Sequence, residues 1–402
     1  MKNVAIIGIS GFGTYHYMDL MYYHKKKVLN LISATVINQK EEEKKCNELR
    51  AIQCKLYTNY NEMLTENKGK IDICFIPTGI HLHKEMTIQA LRSNTNVFVE
   101  KPAAPTIQDV LEMEKVQSTA ERFVAVGFQH TYNPEFLKIK NLILDGKIGN
   151  IKTIKCFAMW PRTESYYKRN NWAGKLKLNE QWVLDSPFNN ALSHQLNQIC
   201  FFAGENILSS AEIKSVQAET YRANNIESPD TVCMRIITKK DLPIYFFATH
   251  ACLEKIDPEI HIIGNKGKII WRITETQIEI DGKRTVLFNP SFENTRRYMI
   301  ESLIKRIYDQ TVFICTLDIA KIQTICANAA HESSKIIQIP RQFISRKSQN
   351  GISHIFINNI EKIITRSFEK EMLFSELGID WAVEGKIINL NNYIFFPSYS
   401  DL

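Results

Sequence analysis

The feature that most constrains this chain is a glycine turn set between an apolar run and a helical pattern. Val4–Gly8 leads into Gly8-Ile9-Ser10-Gly11-Phe12-Gly13 and then a helix. Gly8 permits the tight turn, Gly11 keeps the nearby backbone open, and Gly13 lets the helix pack close to the strand, with Ser10 at the middle glycine position. A helix that opens there offers unpaired N–H groups to a pyrophosphate. Further short apolar runs follow at Leu31–Ile37, Ile71–Ile76, Asn96–Val99 and Phe123–Val126. Helical patterns separate them; the one after Val99 starts at Thr106, with Asp109 three residues on. The alternation predicts successive βα units and a doubly wound parallel sheet. In that setting Gly8, Ser10, Gly11, Phe12 and Gly13 read as dinucleotide-binding residues rather than as a bare turn.

From about residue 150 the pattern changes. Ile151–Phe157, Thr231–Ile237, Ile244–Ala248, Ile260–Ile263, Lys268–Ile273 and Gln277–Ile280 read as strands, with turn signals at Gly264–Gly267 and Asp281-Gly282. Closely spaced strands with short turns predict an antiparallel sheet. Helices are expected near Leu192–Phe202, Thr295–Asp309 and Leu317–Glu332. The polar stretch Arg346–Gly351 reads as a linker or exposed turn. Beyond it come a further helix, Ile360–Leu377, and the apolar stretches Phe374–Trp381 and Tyr393–Pro397, which imply packing onto the body or a neighbouring subunit.

Composition narrows the class. With 402 residues, 44% hydrophobic and 23% charged, the chain is of globular type and long enough to bury a large core unaided. No apolar run approaches the roughly 18 residues of a membrane span, and Met1-Lys2-Asn3 leads straight into a strand without a leader pattern. Nine scattered cysteines without a CxxC pair suit free thiols in a reducing compartment. A cytoplasmic protein without a metal site or membrane role is expected. The net charge of +7 is spread among 43 acids, unlike the gathered basic face of a nucleic-acid binder. The cluster His24–Lys27 matches a helix C-terminal dipole more simply.

Two other positions bear on chemistry. The residue that holds the adenosine ribose is expected about 20 residues beyond the glycine turn, at the end of the second strand. Asn38-Gln39-Lys40 stands there, with no acid to repel a 2′-phosphate. With Lys40 adjacent, NADP stays open beside NAD and is mildly favoured; that Lys40 simply faces water is an equal reading. The run Asn96–Val99 ends in Glu100-Lys101-Pro102, which aims Lys101 beyond the carboxyl end of a parallel strand, where such sheets bind ligands. A lysine there can hydrogen-bond a substrate hydroxyl and share in proton transfer.

Gly8–Gly13, Glu100-Lys101-Pro102 and a downstream histidine resemble the Gfo/Idh/MocA family of NAD(P)-dependent sugar and cyclitol dehydrogenases, over about residues 1–340. Pro77-Thr78-Gly79-Ile80-His81-Leu82-His83 is similar to the family's strand-three loop, with His83 at the usual histidine position. Val126–Gln129 and Tyr132-Asn133-Pro134 resemble the segment leading out of the nucleotide domain. The resemblance implies cofactor contacts from Asn38, Lys40, Thr78, His83, Glu100 and Lys101. It also implies an N-terminal Rossmann-type sheet followed by an α+β domain whose open-faced, mostly antiparallel sheet often forms the oligomer contact. The expected organisation is therefore a dinucleotide-binding domain at 1–125, a substrate and oligomerisation domain at 126–340, and an extension at 341–402, in a homo-oligomer.

The family's second catalytic element, Asp-x-Gly-x-His-x-x-Asp, is matched by Asn190–Asn197. His194 is kept, both acids are asparagine, and the glycine is Leu192. On a helix, Asn190 and His194 would share one face. A neutral His194 can take a proton from a substrate hydroxyl as hydride leaves the same carbon, though a core histidine is the plainer reading without the resemblance. Asn190 can hold substrate but not move a proton, and Asp185 is the candidate to supply the missing carboxylate. Trp160–Trp172 matches the family's substrate loop. Arg162, Tyr166 and Trp172 are candidate substrate contacts there, and Arg162, Lys168 or Arg169 could hold a phosphate or carboxylate; the alternative is an exposed loop packed by its own aromatics.

The activity implied is hydride transfer between NAD or NADP and a hydroxyl or carbonyl carbon of a sugar, sugar derivative or cyclitol. Two alternatives share the fold: an NAD-dependent glycoside-cleaving enzyme, and a non-catalytic dinucleotide-binding sensor. The missing acids around His194 keep the second alive.

Overall fold

The computed structural model describes residues 1–349 and 352–398, which divide into two compact units. One comprises 1–104, 108–132 and 293–317; the other comprises 105–107, 133–292 and the described residues from 318 on.

In the first unit the short apolar runs become strands because most side chains on them are buried, as a sheet covered on both faces requires. They are β1 (Lys2–Ile7), β2 (Leu29–Thr35), β3 (Lys55–Tyr57), β4 (Ile73–Ile76), β5 (Asn96–Val99) and β6 (Val124–Val126). All pair in parallel, in the order β3-β2-β1-β4-β5-β6. Strand order reverses between β1 and β4, which opens a ligand crevice at their carboxyl ends. The predicted sheet is present with one strand more. β3 escapes sequence reading because it is three residues long and buries Tyr57 alone. Helices α1 (Gly13–Lys25), α2 (Glu43–Ala51), α3 (Tyr60–Glu66), α4 (His83–Arg92) and α5 (Ile107–Ala120) connect the strands.

Residues 293–317 return to this unit from far along the chain. Arg296 grips both carboxylate oxygens of Asp19, at 2.8 and 3.1 Å, in a nearly dry pair. Val126 N–H donates to the Cys315 carbonyl at 2.8 Å. No local pattern announces such a return.

The second unit opens with α6 (Pro134–Leu144), which Asn133 caps by accepting from Glu135 N–H at 2.9 Å. Then come β7 (Ile151–Met159), α7 (Glu164–Tyr167), the short pair β8 (Lys177–Leu178) and β9 (Gln181–Trp182), and α8 (Ser193–Phe202). The sheet continues through β10 (Ile213–Arg222), β11 (Thr231–Thr238), β12 (Pro243–Thr249), β13 (Ile256–Gly264), β14 (Gly267–Arg272), β15 (Glu275–Ile280) and β16 (Lys283–Phe288). After α9 (Phe292–Arg306) and α10 (Leu317–Ser333) the chain adds β17 (Ile337–Gln338), β18 (Ile344–Gln349), β19 (Ile352–Ile357), α11 (Ile360–Lys370) and β20 (Ile387–Asn389). Main-sheet order is β16-β15-β14-β13-β7-β12-β11-β10-β17, with β20 on β10, and only β7–β12 and β10–β17 are parallel.

One face of this sheet carries α8. Behind that helix Phe136 of α6 lies 4.4 Å from Phe202, ring to ring. Lys140 of the same helix is fully buried and donates to the carbonyls of Phe201, Phe202 and Gly204. Its ammonium thereby closes the negative end of α8.

The other face, expected to lie open, is covered by the C-terminal extension. Phe157, Met159, Tyr221, Cys233, Tyr245 and Phe247 meet Ile360, Ile364, Phe368, Leu373, Phe374 and Trp381 in one apolar cluster. Polar residues set the register. Glu219 is fully buried and accepts from Tyr221 Oη at 2.7 Å, Ser375 N–H at 3.2 Å and Ser375 Oγ. Arg235 forks onto Glu376 at 2.7 and 2.5 Å, and Lys155 reaches Glu371 at 3.1 Å. Farther out on the same face, Lys268, Gln277, Glu279 and Arg284 mix with Ile270 and with exposed Val286 and Phe288.

Four points differ in detail from expectation. Arg346–Gln349 is not a linker but part of strand β18, hairpinned to β19; Asn350 and Gly351 lie outside the described residues. The last helix stops at Lys370, because Glu371 takes a left-handed φ of 56°. β7 runs two residues past Phe157, and β10 was not foreseen. Truncating Phe374 to alanine should cost about 3–5 kcal/mol of stability in urea denaturation of the full chain. A loss below about 1 kcal/mol would contradict docking of the extension.

Candidate functional site

The glycine turn after β1 has the geometry of an anion cradle. Gly8 and Gly11 hold φ of 91° and 55°, values that disfavour other residues. A Cβ on Gly13 would stand 2.7 Å from the Gly8 carbonyl, so α1 can start this close only with glycine there. A Cβ on Gly11 would meet nothing within 4 Å, so the turn opens onto free space at the N-terminus of α1. Thr78, after β4, brings its methyl alongside Gly8. An open concavity at a helix N-terminus fits the pyrophosphate of a dinucleotide.

Two residues beside this turn were not foreseen. Lys45 of α2 donates to the Ile9 carbonyl at 2.8 Å, Thr14 Oγ1 at 2.9 Å and Glu42 at 2.7 Å. Those contacts use all three ammonium donors. Glu42 also bonds Ser10; burial raises its pKa, but the bonds from Lys45 and Ser10 outweigh that and hold it low. Both sit in the charged run Glu41–Lys45, which reads as a solvated helix start. Asn38 and Lys40 are exposed on the loop before α2.

At the end of β5 the Glu100 carboxylate is almost wholly buried. It accepts from His16 Nε2 at 2.8 Å and from Lys101 N–H at 3.0 Å. A Cβ on Gly127 would press to 2.9 Å from it, which explains a glycine straight after β6. Burial would raise the Glu100 pKa; the bond and charge of His16, with Lys101, reverse this and lower it. His83 is also fully buried, with Nδ1 2.8 Å from the Pro102 carbonyl and Nε2 3.2 Å from the Thr78 carbonyl. Burial lowers its pKa, so the ring stays neutral and has one N–H to give. Glu100 and His83 thus hold the two loops that carry Lys101 and Thr78. His16 was missed because it lies one turn into a helix of mixed composition.

In the second unit, every residue of α8 is buried except His194. The helix begins at Ser193, so Asn190 lies in the preceding turn instead of sharing a helical face with His194. There its carbonyl accepts from Ser193 Oγ at 2.8 Å. Asn190 Nδ2 donates to Asp185 at 2.7 Å, and Gly174 N–H holds the other carboxylate oxygen at 2.6 Å. Asp185, Asn190, Tyr166, Tyr167 and His250 line a water-sized cavity of about 10 Å³. Arg169 and Arg162 lie over the Tyr166 ring, 3.7 and 4.4 Å from its centre, and Arg169 also approaches Trp172 at 5.2 Å. Unforeseen His250 donates its Nδ1–H to the Trp160 carbonyl at 2.8 Å; burial, aided by Arg162, holds its pKa at about 3.

The extension braces this loop. His354 of β19 bridges Thr163, and Arg346 of β18 pairs with Glu164 at 2.7 Å.

The profile described as "Oxidoreductase family, NAD-binding Rossmann fold" matches residues 2–128, and the C-terminal-domain profile of the same family matches 136–270. The chain belongs to the Gfo/Idh/MocA family. The inositol 2-dehydrogenase of Salmonella paratyphi B is 33% identical over 102 residues, 25% of this chain and 29% of that protein. The glucose-6-phosphate 3-dehydrogenase of Bacillus subtilis is 29% identical over 158 residues, 39% of this chain and 41% of that protein. These matches therefore span less than half of either relative. Among solved structures, a levoglucosan dehydrogenase in complex with NADH superposes with a TM-score of 0.70 at 15% identity, covering 83% of this chain and 96% of that one. That likeness shows the fold of this Gfo/Idh/MocA member. Among the described residues no helix is long and apolar enough to cross a membrane.

Replacing Glu100 by glutamine tests the buried pair. The folded carboxylate titrates below its ordinary 4.5, so its contribution is full above that pH and fades as pH falls through the folded value. The stability gap between wild type and Glu100→Gln, from urea denaturation, should shrink as pH is lowered below that point. A gap constant down to strongly acidic pH would contradict the pairing.

Proposed function

We propose that this Gfo/Idh/MocA member is a dehydrogenase or reductase acting on a hydroxyl or carbonyl carbon of a sugar, sugar derivative or cyclitol. The observation that carries the reading is on α8: its one accessible residue is His194, a side chain that can take a proton at neutral pH. The cyclitol and sugar activities named for the relatives point the same way.

Bound at the glycine turn, the dinucleotide supplies the hydride acceptor or donor. The protein's part is to hold the substrate and move the proton. In oxidation Lys101 Nζ hydrogen-bonds the substrate oxygen and steadies the charge that builds there. His194 has its Nδ1 buried, which leaves Nε2 to receive the hydroxyl proton as the carbonyl forms. Asn190, oriented by Asp185, holds a neighbouring hydroxyl. The acid missing from position 190 is thus replaced by one bonded to it, which favours an enzyme over a sensor.

NAD is the cofactor this reading favours. Lys45 has no donor left for a 2′-phosphate, and the Glu42 carboxylate stands at Ser10. Nine free, buried cysteines fit a reducing compartment, which supports a cytoplasmic setting. A homo-oligomer would use surfaces other than the part of the sheet face that the extension covers.

The test is turnover of a panel of sugars and cyclitols, read as nicotinamide reduction. Lys101→Ala and His194→Ala should each lower kcat by roughly a hundred- to ten-thousandfold, the range for a positioned acid or base. NADH affinity should fall far less than turnover. Near-normal turnover in either variant would remove that residue from the mechanism.

A further inference from the structure

The loop between β7 and α8 carries more positive charge than its surroundings balance. Arg162 and Arg169 both lie over the ring of Tyr166, which lines the same small cavity as Asp185 and Asn190. The one carboxylate near them, Asp185, is already held by Gly174 N–H and Asn190 and lies 4.0 Å from Arg169. The other acids of the neighbourhood are committed elsewhere. Glu164 pairs with Arg346, and Asp257 takes Trp160 Nε1 at 2.9 Å and Lys255 at 3.0 Å. Asp230 is fully buried and saturated by Ala223 N–H, Asn224 and Thr231.

Two donors on this loop are buried without an acceptor. Arg162 Nε and the Tyr167 hydroxyl are both buried and unpartnered among the described residues. His250, which could add charge, is kept neutral by burial and by the two arginines. A guanidinium in a half-buried aromatic setting, with donors unused, is suited to an oxyanion that arrives with a ligand. The bracing of the loop by β18 and β19 fixes where the arginines stand, so the charge is presented and not merely solvated.

We propose that Arg162 and Arg169 form an oxyanion subsite, and that the substrate is a sugar bearing a carboxylate or phosphate group. This deepens the dehydrogenase reading and rests on it.

The experiment uses the full chain saturated with NADH and calorimetric titration at fixed ionic strength. Hexuronates, hexose phosphates and nucleotide-linked hexuronates are each compared with the neutral counterpart. At least one acid should bind roughly tenfold tighter than its neutral partner, the size of one hydrogen bond to a charged group. Whether the carboxylates or the phosphates show the preference identifies the group. Arg162→Gln should abolish the preference and Arg162→Lys should keep part of it, with NADH affinity unchanged in both. The proposal is overturned if every acid matches its neutral partner, or if the preference survives in both Arg162→Gln and Arg169→Gln. Failure to bind NADH at all would instead strike the underlying dehydrogenase reading.

Discussion

The Glu100 carboxylate is the constraint on which the first unit's chemistry depends. It sits at the end of β5, accepts from His16 of α1 and from Lys101 N–H, and leaves room at Gly127 for nothing larger than hydrogen. A charge in so dry a place is tolerated only when paired and hydrogen-bonded. Satisfying it therefore ties the helix that follows the glycine turn to the strand end that presents Lys101. The cradle for a pyrophosphate and the lysine for a substrate oxygen are set by one buried group.

In the second unit, order comes from coverage. A sheet with α8 on one face has another face to hide, and the extension hides it with Phe368, Phe374 and Trp381. Burial of rings of this size contributes most of the attachment. Glu219 and Arg235 add little by area but favour one seating, since a slipped extension would strip a buried carboxylate of its Ser375 donors and Arg235 of Glu376. The same extension then reaches back through β18 and β19 to the loop of Arg162 and Tyr166. One segment thus serves both the core and the arrangement of a candidate binding loop.

Much of this was legible in the sequence where signals are local. The glycine turn, four of the short buried strands that follow it and the β-rich second half are written in hydrophobic pattern and turn residues. Features made by distant partners were not. β10 reads as polar because Glu219 and Gln217 point at an extension more than 150 residues away, so its alternation carries charge on a buried face. Arg346–Gln349 looks like a linker because it is polar and its partner strand comes only later in the chain. Candidate chemistry followed the same rule: Lys101 and His194 carry motif signals, whereas His16, Lys45 and His250 act through contacts that only folding creates. Asn190 illustrates the opposite error, since helical spacing suggested a shared face that the turn before α8 does not provide.

The central claim is that the glycine turn exists to hold a nicotinamide dinucleotide. Fluorescence titration of the purified chain with NADH and NADPH tests it most directly. The account predicts saturable binding of NADH and weaker binding of NADPH, because Lys45 has no free donor and Glu42 stands beside Ser10. Absence of binding by either would make the turn purely structural and contradict the account at its base.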